Sequence, residues 1–189
     1  MRRGLQSLQI EVDTLAGLRR CELERTDDPL VVFASTDMGE VTSGDAPDSD
    51  SFLTGIDGLD GFARWAIGAV GNPHVVIDVT DPHAIDLAHV GPQIEKHFPH
   101  GVNAHFVRVG EADEIELAVW ERGAGITQAC GSGATVSAQR MYEWGVVGER
   151  VTVVMPGGSA IVDVANSERS TAVLSGEATF VGTVEVPRG

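Results

Sequence analysis

The sequence predicts an α+β fold in which a mixed sheet curls around one buried helix, and three observations predict it. Short segments with apolar residues at every second position recur along nearly the whole chain, the period of half-buried strands. One helical segment, residues 131–144, carries Ala134, Val136, Ala138 and Met141 and no charge before Arg140, so no face of its first turns belongs in water. The length of 189 residues, 42% hydrophobic and 22% charged, suffices for one core, or one core with part of a neighbouring domain.

The elements follow in order. Leu8, Ile10 and Val12 alternate, as do residues 18–23, giving two strands joined at Ala16-Gly17, and residues 30–33 form a third. Residues 43–51, rich in Asp, Ser, Gly and Pro, read as a loop and a domain boundary. Residues 62–70 and 75–79 are strands around the turn Gly71-Asn72-Pro73-His74, and residues 84–97 hold helical turns expected to break at Gly91-Pro92. Residues 104–109 and 115–120 pair as a hairpin. After the central helix, which Gly145 is placed to end, strands are expected at 151–154, 160–164, 171–174 and 179–186.

The net charge of −15 and the pI near 4.6 argue against nucleic acid and anionic membranes as partners, because both reward basic surfaces. Met1-Arg2-Arg3 leads into a mixed segment with Gln6, Gln9 and Glu11 rather than an apolar run, so no secretory signal is read, and no segment is long enough to span a membrane. The two cysteines, Cys21 and Cys130, stand in such different surroundings that no disulfide framework is expected, and a reducing cytoplasmic setting fits them. Cys21 lies in a strand-like run without glycines or a helix start after it, which reads as structural.

The chemistry concentrates in residues 120–133, Trp-Glu-Arg-Gly-Ala-Gly-Ile-Thr-Gln-Ala-Cys-Gly-Ser-Gly. Cys130 sits where a strand gives way to a helix, and the unpaired N–H groups and positive dipole end there are expected to ionise it below the ~8.5 of a free thiol. Gly131 and Gly133 let a ligand approach the backbone and Ser132 adds a hydroxyl, so the turn reads as an anion cradle beside a base. A cysteine standing alone among small residues is more often just a small buried hydrophobe. What separates the two readings is Glu121-Arg122, a carboxylate and a guanidinium at the end of the preceding strand.

This run resembles the second cysteine signature of the diaminopimelate epimerases. Other motifs agree in order and spacing: Ala16-Gly17-Leu18, Asp37-Met38-Gly39, Gly71-Asn72-Pro73-His74, Phe98-Pro99 followed by Val102-Asn103, and Pro156-Gly157-Gly158. The resemblance implies two pseudo-symmetric domains, each an antiparallel-rich sheet around a central helix, with the active site between them. It also implies a first cysteine, in a Cys-Gly-Asn-Gly motif, upstream of Met1. The chain is therefore expected to be the C-terminal two thirds of such an enzyme: residues 1–41 as remnant strands of the N-terminal domain, 42–176 as the C-terminal domain, and 177–189 as a strand returning to the first.

Residue by residue, the resemblance makes Cys130 one of two acid-base cysteines that invert an α-carbon, with Glu121 as its partner and His74 supporting the absent cysteine. The backbone at Gly131 and Ser132 would hold the α-carboxylate; Asn72, Asn103, Glu121 and Arg122 would hold the substrate, Arg122 forking onto the distal carboxylate. No cofactor and no metal are implied. The chain departs from the pattern at Ile126, where an acidic residue is usual, and at Glu40 and Glu177, where prolines are common. Loss of the acid would either lower the Cys130 pKa slightly or reflect relaxed constraint.

Three readings follow: an epimerase whose recorded start is too late, a remnant that binds an amino acid dicarboxylate without turning it over, and an assembly. In the last, strands 8–33 and 180–186 have lost their sheet and recruit a second copy or a separate N-terminal segment. Proline racemase-like chemistry is the runner-up within the fold.

Overall fold

The computed structural model describes residues 7–14 and 17–185. Ala16, Val186 and the Met1 to Leu5 segment lie outside the described residues. β1 (Leu8–Thr14) and β2 (Gly17–Arg25) form an antiparallel hairpin with Leu8 opposite Leu23. β3 (Val31–Gly39) lies beside β2, and β4 (Arg64–Ala69) pairs antiparallel with β5 (Pro73–Asp78). β6 (Asn103–Val109), β7 (Glu114–Glu121) and the short β8 (Gly125–Ile126) follow, then β9 (Arg150–Met155), β10 (Gly158–Asp163) and β11 (Ala172–Thr179).

All belong to one sheet, ordered β1-β2-β3-β11-β10-β9-β7-β6-β5-β4 with β8 attached to β7. The β5–β6 and β7–β9 pairings are parallel and the others antiparallel, so the sheet is mixed and antiparallel-rich. α2 (Gly131–Glu143) is the central helix: Ala134, Val136, Ala138 and Met141 are wholly buried against Val76, Val107, Leu117, Val119, Val151, Val153 and Val162. The uncharged first turns have water on no side, as the composition of the segment requires. Gly145 at φ 71° closes the helix, its N–H donating to Tyr142 and that of Val146 to Met141, a pairing that needs a left-handed residue.

A second layer covers the opposite face of β4 to β7. There Val75, Ile77, Ala104 and Phe106 pack against Val90 and Ile94 of α1 (Leu87–Glu95) and against Phe52 and Leu53 of a 3-10 turn, Phe52–Gly55. Because β5 is buried on both faces, it reads as a continuous apolar run rather than an alternation.

The structure departs from the sequence reading in three places. α1 continues through Gly91-Pro92, with Pro92 inside it; the Asp86 side chain caps its start by accepting from His89 N–H, and burial of Val90 and Ile94 outweighs the single lost backbone bond. The strand expected at 171–174 runs on to Thr179 as β11, because Ser175 and Gly176 lie opposite Ser35 and Ala34 and the two serine hydroxyls meet at 2.9 Å, while the strand expected at 179–186 is not formed among the described residues. Residues 180–185 lie in no strand, although Phe180 N–H still donates to Leu30. Finally, β1 to β3 have not lost their sheet: β3 joins β11 over eight paired positions and is continuous with the C-terminal strands. What β1 and most of β2 lack is cover, Leu8 being 59% and Leu18 53% exposed.

Candidate active site

The topology brings one end of several elements together. β5 and β6 run parallel, so their first residues, Pro73-His74 and Asn103, are neighbours, and β7 runs the other way, so its last residue, Glu121, arrives at the same edge. The start of α2 meets them there. Cys130 takes the N-cap position with an extended backbone, and its sulfur accepts the Gly133 N–H at 3.4 Å, the role an Asp or Ser oxygen usually fills. Among the described residues, the Gly131 and Ser132 N–H groups have no acceptor, which leaves both directed at whatever occupies the helix start.

Cys130 is 7% exposed and its sulfur has two polar partners. Ser132 Oγ lies 3.6 Å from Sγ and Gly133 donates to it. Burial pushes the Cys130 thiol above its ordinary value and the Glu121 charge adds to this, while the bonds from Ser132 and Gly133 pull the other way and are outweighed. Against the expectation of a thiol acidified by the helix start, burial keeps the resting Cys130 a protonated thiol. Glu121 in turn accepts from Thr127 Oγ1 at 2.5 Å, which fixes one carboxylate oxygen. Ile126, in the place of an acidic residue, is 53% exposed.

His74 is fully buried. Its Nε2 lies 2.9 Å from Asn72 Oδ1 and its Nδ1 lies 2.8 Å from Nε2 of His105, also fully buried. Burial lowers the His74 pKa to about 4, helped by the Arg122 charge, and burial next to His74 lowers that of His105 as well, so both rings are neutral near pH 7. One nitrogen of each ring and Cys130 Sγ lie within 4.8 Å of one another.

Asn103 is a brace: Nδ2 donates to Pro73 C=O at 2.8 Å and Oδ1 accepts the Arg122 N–H at 3.0 Å, tying β5 to the end of β7. Arg122 is exposed and spends Nη1 on the His100 carbonyl at 2.7 Å, leaving the rest of its fork to solvent. Two members of the site escaped the sequence reading. Thr127 was passed over as part of a motif, and His105 sits in an alternating strand where a histidine is indistinguishable from core.

The sequence profile of the diaminopimelate epimerases, described as "Diaminopimelate epimerase", matches residues 67–181, more than half of the chain. The chain belongs to the diaminopimelate epimerase family. It is 38% identical to the diaminopimelate epimerase of Methanothermobacter thermautotrophicus over 185 residues, covering 92% of this chain and 63% of that one. With the enzyme of Desulfitobacterium hafniense it shares 36% identity, covering 91% and 62%. The chain thus spans a little under two thirds of the length of these family members. Among solved structures, a hydroxyproline epimerase from Agrobacterium vitis superposes with a TM-score of 0.60 at 14% identity, over 94% of this chain and 59% of that one, which shows a common fold. Among the described residues, no helix is long and apolar enough to cross a membrane.

Proposed function

We propose that this chain supplies the second-cysteine half of a diaminopimelate epimerase site and that it binds diaminopimelate there, in the cytoplasm, where Cys130 stays reduced. The observation that carries the reading is the buried Cys130 sulfur at a helix start whose Gly131 and Ser132 N–H groups have no acceptor among the described residues, with the Glu121 charge close enough to act on the thiol. A substrate α-carboxylate on those two donors places its α-carbon beside Sγ. Glu121 takes the thiol proton, the thiolate takes the α-hydrogen as a proton, and the electron pair left on the α-carbon is stabilised through the carboxylate by the helix start. In the other direction the Cys130 thiol returns a proton to the carbanion. Transfer on the opposite face belongs to the remaining third of the family's length, and the chemistry needs no cofactor.

The free part of the Arg122 fork takes the distal carboxylate, with Asn72 beside it, so the substrate is a diamino dicarboxylate rather than proline. Residues 42–176 are read as the C-terminal domain, with 1–41 and 177–189 belonging to its neighbour. The test is protection of Cys130 from iodoacetamide, read by peptide mass spectrometry. Diaminopimelate slows alkylation and proline does not, and Arg122→Ala weakens the protection by about ten- to a hundredfold, the worth of a charged hydrogen-bonded pair. Equal protection by proline favours the racemase-like reading, and no protection by either removes the binding claim.

A further inference from the structure

The pairing of Cys130 with Glu121 makes no use of His105, which is nevertheless fully buried with a polar atom unsatisfied: its Nδ1 has no hydrogen-bond partner. A buried imidazole nitrogen without a partner is rare because nothing repays its lost hydration. The ring edge that carries both nitrogens abuts the first turn of α2. A Cβ on Gly133 would stand 2.0 Å from Cε1, 2.5 Å from Nε2 and 2.7 Å from Nδ1, and the N–H of that same Gly133 donates to Cys130 Sγ. Only glycine admits the imidazole this close to the cysteine turn.

We propose that His74, His105 and Cys130 form a buried binding site for a soft divalent cation, zinc by preference. A nitrogen from each imidazole and the sulfur lie within 4.8 Å of one another, and tetrahedral zinc with bonds of about 2.0 to 2.3 Å holds its ligands roughly 3.5 Å apart, a closure of about 1 Å. Two neutral imidazoles and a thiolate suit zinc better than magnesium or calcium, which take oxygen. The rings lie end to end, with 5.0 Å between centroids, so a cation within reach of both takes at least one of the two nitrogens that now bond each other, and their mutual hydrogen bond is given up as the metal bonds form. The Cys130 thiol loses its proton to solvent as the sulfur–metal bond forms, so the site carries one charge fewer than the cation. The fourth position is open to water or a carboxylate. Because the sulfur lone pair that binds the metal is the one that takes the substrate proton, cation occupancy and proton transfer exclude each other. A free cation of this type is therefore an inhibitor of the thiol.

The test uses the purified chain under reducing conditions with Co2+ as a spectroscopic stand-in and Zn2+ as competitor. The expected result is one Co2+ per chain, a thiolate-to-cobalt charge-transfer band, and displacement by one equivalent of Zn2+. Cys130→Ser abolishes the band, Cys21→Ser leaves it unchanged, and His105→Gln weakens affinity at least about tenfold, the least expected for a lost ligand. Far-UV circular dichroism checks that each variant is folded; if His105→Gln is not, the two cysteine variants decide. A missing band, a band that survives in Cys130→Ser, one lost in Cys21→Ser, or a folded His105→Gln that binds like wild type overturns the proposal. Binding is read without turnover, so this result and that of the diaminopimelate protection experiment fail independently.

Discussion

At Cys130 the local motif and the surroundings pull in opposite directions. The helix start and the glycines around the cysteine were legible in the sequence and argue for an acidified thiol, but burial and the nearness of Glu121 are properties of the folded chain, and they win. Glu121→Gln removes the charge that favours the protonated thiol, so it lowers the Cys130 pKa. The pH profile of Cys130 alkylation measures this, and an unmoved or raised midpoint would contradict it. Gly133→Ala forces a methyl into the His105 ring and costs about 2 to 4 kcal/mol, read by urea unfolding. The candidates Cys130, Glu121 and Arg122 are legible together because they belong to one contiguous motif. His105 and Thr127 are not, since a histidine between Ala104 and Phe106 has the periodicity of core and a threonine's partner cannot be read from spacing.

Elements with a strong periodic signature were read correctly. α2 was visible because an uncharged helix has only one environment open to it, and its end because Gly145 alone supplies the left-handed residue of the closing turn. Elements set by long-range pairing were not. β11 is longer than the strand expected at 171–174, because only β3, some 140 residues earlier, supplies the ladder that carries it on to Thr179. α1 was expected to break because Pro92 was visible and the buried sheet face under Val90 and Ile94 was not. Its cap accordingly matters: Asp86→Ala removes the acceptor for His89 N–H and costs about 1 kcal/mol, measurable as a lowered urea midpoint at unchanged slope.

Across the whole molecule, the buried imidazole pair couples stability to pH. His74 titrates near 4 when folded and near 6.5 when unfolded, so between these values the unfolded chain binds more protons. Its contribution is fully present above pH 6.5 and is lost as pH falls toward 4, up to about 3 kcal/mol, with His105 acting in the same direction. Urea unfolding with a chelator present should show stability falling by about 2 kcal/mol between pH 7.5 and 5; a flat profile would mean that the rings are hydrated. The fold class was legible because its two sources, alternation and one buried helix, are local. That β1 to β3 remain within the sheet was not, since the register linking β3 to β11 spans most of the chain. The central claim is that Cys130 moves a proton at an α-carbon of diaminopimelate. The direct measurement is incubation of LL-diaminopimelate with the chain in deuterated water, with α-deuterium read by mass spectrometry. The account predicts exchange at one α-position that disappears in Cys130→Ser; no exchange in the wild-type chain, or exchange that persists without the thiol, would contradict it.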